Sequence, residues 1–203
     1  GNPIRKDLLT PLTTNAHEFL GLDKNIPTIL ILGGSLGALA INDAITEALP
    51  KLLEHYQVVH QTGKKHIEET RKIAEAVLFQ NPHKDRYHAY DYMDTLTLRS
   101  AAGAANLVIS RAGSAIFEIA SWGIPAIIIP IKSSNGDHQA KNAFAYARSG
   151  AATVIEETNL TGNILTAEAD RILQSPDITR TMRQSALEFV KPNAARLIAE
   201  EIV

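Results

Sequence analysis

Thr28-Ile29-Leu30-Ile31-Leu32-Gly33-Gly34-Ser35-Leu36-Gly37-Ala38 decides how the rest of the chain is read. The aliphatic, β-branched run has no polar alternation, so it is apolar on both faces, as strands inside a parallel sheet are. It stops at paired glycines. From about Ala38 to Leu53, Leu39, Ile41, Ala44, Ile45, Ala48, Leu49 and Leu52 then recur near helical spacing.

That unit repeats along the chain. The next strand is Gln57 to Gln61, closed by Thr62-Gly63, and a charged helix runs from Lys64 towards Leu78 until Asn81-Pro82 breaks it. Arg86 to Tyr90 is a weaker strand, followed by a helix from Met93 to Ala104. Leu107 to Ile109, Ala126 to Ile129 and Ala152 to Ile155 complete the strands, with helices over Ser114–Trp122 and His138–Ser149 between them. Helices interrupted near Pro176 and Pro192 finish the chain. About six strands alternating with helices predict an α/β fold with a Rossmann-like, doubly wound parallel sheet. Residues 1–27, with Pro3, Pro11 and Pro27, read as an irregular lead-in, and residues 28–203 as one domain.

Bulk composition narrows the function classes. Hydrophobic residues make up 45% and charged residues 21% of the 203, ordinary for a globular protein. A net charge of −2 gives no electrostatic reason to expect nucleic acid. The absence of cysteine excludes disulfides, thiolate nucleophiles and Cys-based metal sites, and suits a cytoplasmic location. No apolar run reaches the roughly 20 residues that span a bilayer. The N-terminus has neither an initiator Met nor the pattern of a signal peptide, which is read as a fragment or a processed chain.

Ligands of open parallel sheets bind beyond the carboxyl ends of the strands, and four segments fall there. The first is Gly33-Gly34-Ser35-Leu36-Gly37, where glycines permit close backbone approach and a helix N-terminus favours an anion. The plain alternative is a tight strand-to-helix turn. A dinucleotide site would want an acid at the end of the second strand; His60-Gln61-Thr62-Gly63 stands there instead, which disfavours NAD. The second is Ser110-Arg111-Ala112-Gly113-Ser114-Ala115 with Glu118 one turn on. Ser114 is the expected N-cap, and Glu118, amid apolar neighbours, must face solvent or a partner such as a ribose diol. The third is Asp137-His138-Gln139 with Asn142, whose amides suit sugar hydroxyls; a capped helix start is the bland alternative. The fourth is Tyr90-Asp91-Tyr92-Met93, able to hold a flat base or merely to pack. His60, His66, His83 and His88 read as surface or strand-end residues. No metal-ligand spacing, paired carboxylate, Ser-His-Asp set or general base stands out, and no cofactor is expected.

Taken in order, these segments resemble the MurG family of bacterial peptidoglycan N-acetylglucosaminyltransferases, which convert lipid I to lipid II. Gly1-Asn2-Pro3-Ile4-Arg5 resembles the family's interdomain segment, Leu32 to Ala38 its glycine loop, and His60-Gln61-Thr62-Gly63 its second-strand turn. Ser110 to Glu118, Gly123-Ile124-Pro125-Ala126 and Asp137 to Ala143 resemble its nucleotide and sugar regions. Each motif is weak singly; their order and spacing are specific, and they span nearly the whole chain.

The resemblance implies the C-terminal, donor-binding half of a two-domain (GT-B) inverting glycosyltransferase, with the acceptor site, general base and membrane-contacting patch in an N-terminal domain outside this sequence. It places Arg5, Gly34 and Ser35 near UDP-N-acetylglucosamine, the backbone at Tyr90 and Met93 on uracil, and Gly113, Ser114 and Ala115 on the diphosphate. It places Glu118 on the ribose, and His138, Gln139 and Asn142 on the sugar. Tyr90 and Tyr92 stand where aliphatic and acidic residues are more usual. The implied acceptor is lipid I, met by the intact enzyme at the cytoplasmic face of the membrane, with no nucleic acid as partner. Two alternatives come from other classes: a non-catalytic UDP-sugar-binding subunit of a split glycosyltransferase, and a nicotinamide-dependent oxidoreductase domain.

Overall fold

Of the chain, the computed structural model describes residues 4–34, 38–131 and 138–190. Gly1, Asn2, Pro3, Ser35, Leu36, Gly37, Asp137 and Pro192, named above, lie outside the described residues, as does the loop 132–136. The apolar runs form strands β1 (Thr28–Leu32), β2 (Gln57–Gln61), β3 (Tyr87–Tyr90), β4 (Ala105–Ser110), β5 (Ala126–Ile128) and β6 (Ala152–Val154). Helices α1 (Ala16–Leu20), α2 (Leu39–His55), α3 (Ile67–Val77), α4 (Thr95–Ala104), α5 (Ala115–Trp122), α6 (His138–Arg148), α7 (Gly162–Leu173) and α8 (Pro176–Phe189) complete the order. Every pairing is parallel, in the order β3-β2-β1-β4-β5-β6. This is the expected doubly wound α/β fold. Its strand order reverses between β1 and β4, where such sheets open a crevice.

β1 is buried along its whole length because both faces are covered. Successive side chains point to opposite sides of a strand, so Leu30 and Leu32 enter one core while Ile29 and Ile31 enter the other. The first core is closed by α1, α4, α5 and α6, largely through alanines (Ala16, Ala101, Ala102, Ala104, Ala120, Ala143) with Trp122 and Tyr146. The second is closed by α2 and α7 through Ile41, Ile45, Leu49, Leu52, Leu53, Leu165 and Ile172.

The lead-in departs from the expectation of irregular chain. It contains α1, and it buries Leu8, Ala16 and Leu20 in the first face. Its backbone is stitched to α4 and α5. Trp122 Nε1 donates to the Leu8 carbonyl at 2.7 Å, Arg99 Nε donates to the Thr10 carbonyl at 2.9 Å, and the Leu12 amide donates to the Arg99 carbonyl at 2.9 Å. At Gly103 the two segments approach so closely that a Cβ would overlap the Leu12 carbonyl. Backbone carbonyls and one glycine do the docking, and neither leaves a periodic signal in a sequence of Thr, Pro and Asn.

Candidate functional site

A cleft of about 420 Å³ opens at the carboxyl ends of β1, β2 and β4, at the topological switch point. Leu32, Gln61 and Ser110, the last residues of those strands, lie in its wall. Of the residues singled out from sequence it brings together Arg5, Gly34, Met93, Gly113, Ser114, Ala115 and Glu118. Tyr90, His138, Gln139 and Asn142 are not among its lining residues. The Tyr90 carbonyl is occupied, accepting from the Thr62 amide at 2.9 Å and the Thr62 hydroxyl at 3.2 Å. Gln139 Oε1 accepts from the Ile131 amide at 3.2 Å, and Asn142 Nδ2 donates to the Ala112 carbonyl at 3.3 Å. Those two side chains therefore tie α6 to the strand-end loops.

Each wall follows from local chemistry. Gly34 turns the chain off β1 with φ of 78°, a conformation that favours glycine. Beyond β4, Gly113 leads into α5, whose first turn leaves amides without intrahelical acceptors and presents the positive end of the helix dipole to the cleft. Ser114 was expected to cap α5 with its hydroxyl. It occupies the N-cap position in helical geometry, φ −61° and ψ −23°, and its side chain makes no capping bond. With ψ already helical the hydroxyl does not reach back over the first turn, and the residue is exposed.

Arg5 enters from the lead-in. Its guanidinium grips Asp7 at 3.1 Å and the Thr95 hydroxyl at 3.1 Å. Glu118 faces it from α5, half-buried. Burial pushes the Glu118 carboxyl above the ordinary carboxylate range, the Arg5 charge pulls it back, and Asp7 adds to the rise. Arg111 also lines the cleft. It makes a forked ion pair with Glu157 at 3.0 and 3.3 Å and donates to the Ile129 carbonyl at 3.3 Å, which braces the β4–α5 loop against β5.

His60 corrects the surface reading: it stands next to last in β2, at the strand end, yet it is fully buried. Its ring contacts Asn42 Oδ1 at 3.1 Å and the Tyr87 hydroxyl at 3.0 Å, and desolvation pushes its pKa down to about 3. Gln61, Tyr92, Thr95 and Leu98 line the cleft as well; Tyr92 falls in the segment read as able to hold a flat base and Gln61 in the turn that closes the second strand, whereas Thr95 and Leu98 were not singled out. The aromatic at Tyr92 was the available signal for that stretch; for Gln61 it was the strand-end motif His60-Gln61-Thr62-Gly63, which gave a turn but no role for the side chain.

A larger cavity, about 560 Å³, lies between α3 and the outer edge of β3, lined by Arg71, Glu75, Leu78, Phe79, Lys84, Asp85 and Tyr87. It sits alongside the edge strand, away from the strand carboxyl ends, and its opposed charges give no preference for an anion. The switch-point cleft is therefore the candidate site.

Residues 28–201 match the family model described as glycosyltransferase family 28 C-terminal domain. The chain belongs to that family. Other family 28 relatives bear names matching the expected resemblance. The Bacillus cereus UDP-N-acetylglucosamine–N-acetylmuramyl-(pentapeptide) pyrophosphoryl-undecaprenol N-acetylglucosamine transferase 2 is 36% identical over 184 residues, covering 89% of this chain and 49% of that protein. A transferase of the same name from Thermodesulfovibrio yellowstonii is 35% identical, with 98% of this chain and 54% of the relative covered. The crystal structure of Acinetobacter baumannii MurG superimposes with a TM-score of 0.78 at 27% identity, over 96% of this chain and 54% of that one. This family 28 chain thus spans about half the length of the relatives it matches. Among the described residues no helix is long and apolar enough to cross a membrane.

Proposed function

We propose that this family 28 domain binds UDP-N-acetylglucosamine, and that the transferase to which it belongs passes the N-acetylglucosamine to lipid I, forming lipid II. The observation that carries the reading is the switch-point cleft, with the N-terminus of α5 on one wall and Glu118 one turn further along it. The names of the relatives, all N-acetylglucosamine transferases, supply the substrate class.

In this reaction the C4 hydroxyl of the acceptor attacks the anomeric carbon and inverts it. The C1–oxygen bond to the diphosphate breaks, and UDP leaves with the bonding pair. The amides at Gly113, Ser114 and Ala115 face that developing charge, and preorganised donors of this kind carry a large share of catalysis. Arg5 adds a cation beside the same cleft. The proton of the acceptor hydroxyl goes to a base outside this domain, in the half that also holds the lipid acceptor and meets the cytoplasmic face of the membrane. His138, Gln139 and Asn142, on the first turns of α6, are assigned to the sugar.

Glu118 accepts hydrogen bonds from the ribose hydroxyls as a carboxylate. Charge-assisted bonds contribute about 1.5–3 kcal/mol, so Glu118→Ala lowers UDP-N-acetylglucosamine affinity more than about tenfold in a calorimetric titration. The ligand favours the ionised form, so affinity is full above the raised pKa of Glu118 and declines as pH falls through it. Binding by the variant equal to the parent's would remove the ribose role, and preference for NADH over the UDP-sugar would remove the donor-domain reading altogether.

A further inference from the structure

Gln61 closes β2 at the rim of the cleft, and its two ends are held by different segments. Its main-chain carbonyl accepts from the Gly33 amide at 3.1 Å, beside the glycine turn. Its side-chain Oε1 accepts from the Met93 amide at 3.0 Å, in the segment that follows β3. A backbone N–H can only donate, so the oxygen of the Gln61 amide must face Met93, and its nitrogen is turned away. That nitrogen carries two N–H donors and has no hydrogen-bond partner among the described residues, although Gln61 is only 7% exposed. Among the described residues the buried side-chain atoms without a partner are Arg111 Nε and Tyr146 Oη, so the Gln61 nitrogen is the part of this nearly buried side chain that solvent, and a ligand in the cleft, can reach.

The backbone that carries this amide is locked from behind. Thr62 donates to the Tyr90 carbonyl through both its amide and its hydroxyl, and its own carbonyl accepts from Asn42 Nδ2 at 3.1 Å. Since Asn42 spends its nitrogen on Thr62, its oxygen faces His60, and the His60 Nε2 is the donor. The Tyr87 hydroxyl then donates to His60 Nδ1. This chain of buried bonds runs through β3, β2, α2 and the turn after β2. It lets Gln61 neither slide nor flip, so its free donors are presented without ordering cost when a ligand arrives.

We propose that Gln61 is a nucleotide-reading residue: its side-chain oxygen is held by the Met93 amide, and its side-chain nitrogen donates to an oxygen of the nucleoside portion of the diphosphate donor. The assignment rests on the donor-cleft reading above. Glu118 and Gln61 sit on opposite flanks of β1, one after β4 and one after β2. They offer opposite polarities, a carboxylate for hydroxyl groups and an amide for an oxygen acceptor.

The discriminating variant is Gln61→Glu in the full chain. It keeps an oxygen for the Met93 amide but replaces the free donor with a second acceptor. Titrated with UDP and with UDP-N-acetylglucosamine, it should lose more than about tenfold in affinity for both equally, while melting at the parent's temperature. Gln61→Met, of similar length, should lose both the brace and the donor and also bind UDP weakly. In the parent, the side-chain amide resonances of Gln61, assigned by their absence from the variants, should shift on addition of UDP. Parental affinity in Gln61→Glu, or amide resonances indifferent to UDP, would overturn the proposal. So would a loss confined to the UDP-sugar, since that would assign Gln61 to the sugar. If the parent binds UDP and Glu118→Ala weakens it while Gln61→Glu does not, only this proposal falls. If the parent binds no UDP, the donor-cleft reading falls and takes the proposal with it.

Discussion

The two faces of the sheet are built from the same strands yet packed by different means. On the face covered by α2 and α7, long aliphatic side chains such as Ile41, Ile45, Leu49 and Leu165 fill the space, and the buried His60–Asn42 pair is embedded at the cleft end. On the other face α4 and α5 meet the sheet largely through alanines, and the lead-in is laid across them by hydrogen bonds that its main-chain carbonyls accept from Trp122 and Arg99. Large side chains make a thick platform whose cost of alteration depends on volume. Small ones bring backbones close enough for carbonyl contacts, and there any added atom collides with main chain. The cleft belongs to this alanine-rich face: Arg5 reaches it only because the lead-in is docked there.

The sharpest way to break this contrast is Gly103→Ala. Its Cβ would meet the Leu12 backbone, not a movable side chain, so the loss of stability in urea unfolding should be about 3 kcal/mol or more, at the upper end for overpacking. A variant as stable as the parent would mean that the lead-in is only loosely attached. A smaller effect should come from Trp122→Phe, which retains an aromatic ring but deprives the Leu8 carbonyl of its donor. An unpaired buried acceptor costs about 1–3 kcal/mol. Because Leu8 follows Arg5 closely, UDP affinity should fall as well, whereas the same loss of stability introduced on the opposite face through Leu49 should leave it unchanged. Calorimetry on the two variants separates the faces.

A third contrast concerns pH and belongs to the platform. Desolvation holds His60 neutral down to about pH 3, while in the unfolded chain it titrates near 6.5. Below about pH 6.5 the unfolded chain takes up a proton that the folded chain refuses, so stability from this group is lost as pH falls from there towards about 3, and is fully present above. Urea unfolding of His60→Gln between those limits should show a shallower dependence on pH than the parent. An identical slope would place the proton uptake on other groups.

How much of this was legible in the sequence follows from where each signal resides. β1, β4 and β5 are buried on both faces, so their composition announces them. β3 is an edge strand, half-buried at every residue, and Tyr-His-Ala-Tyr carries the correspondingly weaker pattern. α1 has five residues and begins after Asn15 with φ of 56°, too short a span for periodicity to register. In the cleft, Gly34, Gly113 and Glu118 were legible because each acts within its own strand-to-helix connection. Gln61 and His60 were not: what they do is set by Met93, Asn42 and Tyr87, which only the sheet order brings beside them. Ser114 is the opposite case, where a sound local rule for caps is overridden by a backbone already in helical geometry.

The strand order has a consequence for how the chain is made. β1 lies at the centre of the sheet, yet one of its neighbours, β4, begins only at Ala105. During synthesis Thr28–Leu32 can pair with β2 early, but its other edge waits until β3, α4 and the start of β4 have left the ribosome. Non-local parallel pairing of this kind is slow and exposes aggregation-prone edges. For that interval one edge of a strand with four aliphatic residues out of five stays unpaired, a ready template for pairing with a neighbouring chain.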